Sequence, residues 1–183
     1  MQDPWRQEAG SVNQGDAVEK PALDSQGIAW MSEYKIQTIR STDGFDKNEW
    51  DSFVDGSPQG CIFCKSWWLE AVCPTGFEIL VMRQSGRIVA GMPMFRYRKM
   101  GRQVIGMPKL TQTMGVLLAP LTGEKYVNRL SCEMKILREL VQAIPAVTWF
   151  NVNFHHSFTN WLPFYWAGYM QTTSYTYVIR DLG

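Results

Sequence analysis

The sequence predicts an α/β domain with a mixed central sheet flanked by helices. Three observations carry that prediction. Phe77 to Arg83 is apolar on both faces, as an interior strand is. Ser85-Gly86 offers a two-residue turn, and Arg87 to Arg98 returns as a long strand, so a hairpin forms. Glu124 to Ile144 places Val127, Leu130, Met134, Leu137, Val141 and Ile144 at helical spacing with no Gly or Pro inside. Strand-like segments lie on either side of that helix, and a crossover of this kind joins parallel strands.

The elements follow in order. Residues 1–30 scatter Asp3, Glu8, Asp16, Glu19 and Asp24 among Gln, Gly, Ser and Asn. They cannot bury enough apolar surface to offset their ordering entropy, so a disordered tail is expected, followed by one domain over 31–183. Tyr34 to Arg40 alternates as a first strand. Asp46 is placed to cap a helix, Glu49 to complete a capping box, and Phe45 to staple onto Trp50. Trp50, Phe53 and Val54 give that helix its inner face, and Gly56 and Pro58 end it. Ser66 is expected to cap a second helix, Trp67 to Cys73, which Pro74 stops. Trp67 and Trp68 diverge by about 100° on a helix, so one must face outward.

Pro93 inside the return strand implies an edge or a bulge. Met107 to Gln112 reads as a loop and Met114 to Leu118 as a strand. Past the long helix, Val147 to Phe154 is a strand and Asn160 to Ala167 a short helix, with Pro163 in its first turn and Gly168 as its stop. Gln171 to Arg180 alternates as a last strand. The order is β-α-α-β-β-β-α-β-α-β, which looks like the N-acetyltransferase (GNAT) fold.

Composition narrows the function classes. A net charge of +1 gives no electrostatic footprint for nucleic acid. No run of about 18 apolar residues exists, so no membrane-spanning helix is expected. The start lacks a signal-peptide pattern, and a cytoplasmic location is expected.

Three segments sharpen the resemblance. Ser57-Pro58-Gln59-Gly60 with Ser66-Trp67-Trp68-Leu69-Glu70-Ala71-Val72 is similar to the start of FemAB-like, GNAT-related acyltransferases. Gly106-Met107-Pro108-Lys109-Leu110-Thr111-Gln112-Thr113-Met114-Gly115 is similar too, and the best match is Asn153-Phe154-His155 with Thr159-Asn160-Trp161-Leu162-Pro163-Phe164-Tyr165-Trp166 and Gln171-Thr172-Thr173-Ser174-Tyr175-Thr176-Tyr177. The resemblance covers Tyr34 to the end. It implies two tandem GNAT-like halves, the first helping to bind the acceptor and the second carrying the acyl donor. This chain resembles the first half. The implied function is acceptor binding for acyl transfer to a small-molecule or peptide amine, incomplete alone, with a homodimer or a missing C-terminal half as partner. A non-catalytic binding or assembly module is the alternative.

Candidate site residues gather near the end of the chain. His155 and His156, its only histidines, can act as general base for an amine or position a carboxylate. The structural alternative is a strand-end histidine bonded to loop backbone. Asn160 and Trp161 are candidates for acceptor contact. So are Arg98 and Lys109, from a basic hairpin tip and the following loop. Trp161, Phe164, Tyr165 and Trp166 read as core at helical spacing, or as a groove lining.

An acyl-CoA such as acetyl-CoA needs N–H groups at a helix N-terminus for its pyrophosphate. The segment in the right place, Leu118 to Lys125, offers Thr122 and Gly123 but has one Gly, and Glu124 would repel phosphate. Cys61-Ile62-Phe63-Cys64 is a lone CxxC. Zinc would need two more ligands, so no metal is expected. A redox role asks for the first Cys at a helix start, and the expected cap, Ser66, follows both. The four cysteines read as free, mostly buried thiols.

Overall fold

The computed structural model describes residues 34–121 and 125–175. The tail expected over 1–30, and Thr122, Gly123 and Glu124, lie outside the described residues.

Residues Glu78–Gln84 form β2, with Ile79, Leu80, Val81 and Met82 all buried on its two faces. Strand β1 (Lys35–Arg40) pairs antiparallel with its outer edge and is largely exposed. Ser85 and Gly86 both take positive φ, the two-residue hairpin turn that matches strand twist. The chain returns as β3 (Arg87–Lys99), antiparallel to β2, and turns again into β4 (Arg102–Gly106).

The other edge of β3 is shared. Residues 95–99 pair with β4 and residues 90–91 pair with β5 (Leu117–Leu118). Between β4 and β5 the chain spends residues 107–116 opposite only residues 92–94 of β3. This excursion shortens the strand expected over 114–118. Pro93, buried opposite Ile79, sits where β3 changes partner rather than at a sheet edge, so on that flank its missing N–H interrupts no ladder.

Helix α3 (Tyr126–Gln142) then crosses to β6 (Trp149–Phe150), which runs parallel to β4. The strand order is β1-β2-β3-β4-β6, with β5 beside β3. This mixed sheet, flanked by helices, has the element order and parallel crossover of the GNAT-like arrangement.

One core packs α3 against the sheet through Ile136, Leu137, Leu140 and Val141 onto Leu80, Met92, Met94 and Ile105. The first half of α3 departs from expectation, with Val127 and Leu130 exposed. A second core packs α1 (Lys47–Gly56) and α2 (Ser66–Val72) on Ile79, Val81 and Leu117. Asp46 caps α1 by accepting from the Glu49 N–H at 3.0 Å. Glu49 does not complete the box, because its carboxylate pairs with both Nη atoms of Arg83. Nor does Ser66 cap α2. Its N–H and Oγ donate to the Asp51 carboxylate at 2.7 and 2.8 Å, so the cap comes from α1.

The strand expected over 147–154 keeps ladder pairing only at Trp149 and Phe150. Helix α4 (Leu162–Trp166) holds Pro163 in its first turn, and Gly168 follows with φ of 86°. Of the last expected strand, residues 171–175 are exposed and unpaired among the described residues, and 176–180 lie outside them. No described helix is long and apolar enough to cross a membrane.

Candidate functional site

Residues 57–61, 107–115 and 153–157, in or beside the three segments that carry the resemblance, converge at the end of β4. The extended chain after β6 runs beside the excursion. Asn151 N–H donates to Ile105 O, Met114 N–H donates to Asn153 O at 2.8 Å, and Asn153 Nδ2 donates to Gln112 O. The Phe154 ring packs against Gly115, where an added Cβ would meet it at 2.3 Å. Glycine is therefore required there for the excursion and the post-β6 chain to close on each other.

The turn at residues 57–61 docks onto the same place. Gln59, buried, accepts the Leu118 N–H at 3.0 Å and so satisfies the edge of β5 that faces away from β3. Ser157 Oγ donates to Pro58 O at 2.9 Å, and Cys61 Sγ lies 3.5 Å from Thr113 Oγ1. Trp68 Nε1 donates to Thr111 Oγ1 and braces the excursion from α2. Trp67 is the outward-facing member of the tryptophan pair.

His155 sits inside this convergence. Its Nδ1 is 2.8 Å from Ser157 Oγ. Pro58 O can only accept, so the Ser157 hydroxyl proton points to it. With that proton directed at Pro58 O, Oγ can accept from Nδ1–H, and this tautomer leaves Nε2 with a free lone pair. The Ser157 N–H also donates to Nδ1 at 3.3 Å, a contact that belongs to the opposite tautomer, with Nδ1 accepting and the proton on Nε2. Burial, then the adjacent His156, lowers the His155 pKa, against a smaller raising influence from Cys61. The ring is thus held neutral near pH 7, with one basic nitrogen. His156 stacks at 4.1 Å between ring centroids and is exposed.

Other expected contact residues fall elsewhere. Asn160 Nδ2 donates to Met134 Sδ at 3.1 Å and ties the loop to α3. Trp161 caps the start of α4 and packs edge-on to Tyr165. Arg98 pairs with Gln103 near the hairpin tip, about 10 Å of strand from the end of β4. It is not brought to His155. Lys109 is exposed on the excursion and flanks the site. Of the aromatics read as core or as a groove lining, Phe164 is core, whereas Tyr165 and Trp166 are exposed.

Sequence reasoning missed Ser157 and Cys61. The signal for Ser157 was its position two residues after His155, the spacing of a side chain that folds back on its neighbour. Cys61 was set aside because Ser66 was read as the first helix start. A 3-10 turn, Ile62–Cys64, begins directly after Cys61.

The described start of α3 has Lys125 as N-cap without a side-chain cap, then exposed Tyr126 and Val127. It provides a cation but no glycine to bring a pyrophosphate onto backbone N–H groups. A separate cavity of about 290 Å³ is lined by Gln37, Asp46, Glu49 and Arg83 and contains none of the candidate residues.

No protein family and no curated protein matches the sequence. A solved structure, that of a possible acetyltransferase from Clostridium difficile 630, is similar over 80% of this chain and 97% of its own, at a TM-score of 0.39 and 8% identity.

Proposed function

We propose that this chain is an acceptor-binding GNAT-like domain of an N-acyltransferase and that its junction at the end of β4 receives a primary amine. The observation that supports this most is the Ser157 Oγ bridge between His155 Nδ1 and Pro58 O, which in the proposed tautomer carries Nδ1–H through Oγ–H to that carbonyl. A neutral imidazole with a fixed tautomer can take a proton from an ammonium and leave the amine free to attack an acyl group. His155 would be the base. His156 and Lys109 would border the acceptor. In this reading the donor is an acyl-CoA, and no step above depends on its being held by the described residues.

Calorimetric titration of the full chain with a panel of primary amines, including lysine-containing peptides, tests the reading. Saturable binding lost in His155→Gln and retained in His156→Gln supports it. Binding by no amine, or equal binding by both variants, contradicts it.

A second reading is an assembly module of the same fold. It is favoured by the apolar surface that α3 and α4 leave exposed, with Tyr126, Val127, Leu162, Tyr165 and Trp166 at the surface. Such surface is of the kind that a second copy covers. Sedimentation decides that case: a monomer at high micromolar concentration rules out self-association.

A further inference from the structure

We propose that Cys61 and Cys64 form a reversible redox pair, in which Cys61 attacks a low-molecular-weight disulfide and Cys64 resolves it. Cys61 directly precedes the 3-10 turn Ile62–Cys64, and the Cys64 N–H donates to Cys61 O at 3.1 Å to close it. Residues three apart eclipse in such a turn. The two sulfurs consequently lie on one face, 3.8 Å apart. A disulfide is about 2.05 Å long, so closure asks for an approach of about 1.8 Å, within reach of small χ1 adjustments.

The two thiols are unequal in the way such a pair requires. Cys61 is partly exposed and Cys64 is buried. Cys61 Sγ lies 3.8 Å from the Cys64 sulfur and 3.5 Å from Thr113 Oγ1, both within hydrogen-bond reach of a thiolate. These contacts hold the Cys61 pKa down to about 5 against the opposing effect of burial. Bonding to Cys61, then burial, pushes Cys64 up. Cys73 offers the contrast, since it is buried without such partners and burial pushes it up to about 12. Among the described residues no three His, Cys, Asp or Glu groups converge as a metal site.

The chemistry balances with an external disulfide, RS–SR, as oxidant. The Cys61 thiolate attacks one sulfur, the RS–SR bond breaks, and RS⁻ leaves. Cys64 gives its proton to that RS⁻ and attacks the Cys61 sulfur, which breaks the mixed disulfide and expels a second RS⁻. Two protein thiols are oxidised by two electrons, and one external disulfide is reduced to RSH and RS⁻.

The test uses the full chain with glutathione disulfide at neutral pH, read by intact mass and peptide mapping. The wild type should form a Cys61–Cys64 disulfide without a lasting adduct, and dithiothreitol should reverse it. Cys64→Ala should accumulate the glutathione adduct at Cys61. A second measurement needs no variant. Iodoacetamide labelling of the wild type at about pH 6 should modify Cys61 about tenfold faster than an unstructured cysteine peptide in the same tube. Relative to that free thiol, Cys61 would hold about 300-fold more thiolate, and its lower basicity would take back about 30-fold. Labelling of Cys61 no faster than the peptide, or a persistent adduct on wild-type Cys61, or no oxidation at all, overturns the proposal.

Discussion

The Ser157 hydroxyl bridges His155 and Pro58, lying 2.8 Å from Nδ1 and 2.9 Å from the Pro58 carbonyl. In the proposed tautomer, that bridge keeps the proton on Nδ1 and leaves Nε2 bare. Ser157→Ala should remove that bias. Nitrogen NMR of the His155 ring should show one dominant tautomer in the wild type and a mixture in the variant. Stability should fall by about 1 kcal/mol, since the Pro58 carbonyl loses its donor.

The pH dependence of stability carries a sign. The folded His155 pKa lies below its ordinary value through burial, then His156. Between the folded and unfolded pKa values the unfolded chain binds more protons, so stability rises with pH in that window. It should be fully present above about pH 6.5 and lost as pH falls through the folded value. His155→Gln should flatten the part of the melting-temperature profile that lies below that pH. An unchanged slope there would contradict it.

Asp51→Ala should destabilise the chain by about 1–2 kcal/mol in urea unfolding, because α2 loses the carboxylate that accepts the Ser66 N–H and hydroxyl. Ser66→Ala should cost less, since its N–H keeps that partner.

Phe164→Ala should cost about 3–5 kcal/mol, as the ring is buried among Phe150, Phe154, Phe158 and Tyr169. Tyr165→Ala should move stability little, because Tyr165 is exposed.

Acetyl-CoA should show no micromolar binding to the chain alone. The segment 118–125 has one Gly and the acidic Glu124, and the described first turn of α3 opens with Tyr126 and Val127. Clear micromolar heats in a titration would contradict this.

The strong periodic elements were legible in the sequence. The hairpin of β2 and β3, helix α1 and the second half of α3 follow from apolar spacing and turn chemistry. What was not legible depends on contacts between distant segments. Ser66 and Asp51 are 15 residues apart, and only packing of α1 on α2 selects the true cap. The excursion at 107–116 has strand-like residues at Met114 and Val116, yet the pull of Asn153 and Cys61 diverts them from the ladder. His155 was found because histidine is rare here. Its partner is a hydroxyl from the neighbouring turn rather than a carboxylate, which composition could not indicate.

The central claim is that His155 offers Nε2 to an acceptor amine. The most direct measurement is the nitrogen NMR spectrum of the full chain, labelled at histidine and titrated at neutral pH with the tightest-binding amine. The His155 Nε2 resonance should move saturably while Nδ1 keeps its proton, and Ser157→Ala should weaken the response. A stationary His155 resonance while the amine binds elsewhere, or a proton found on Nε2 in the free protein, would contradict it.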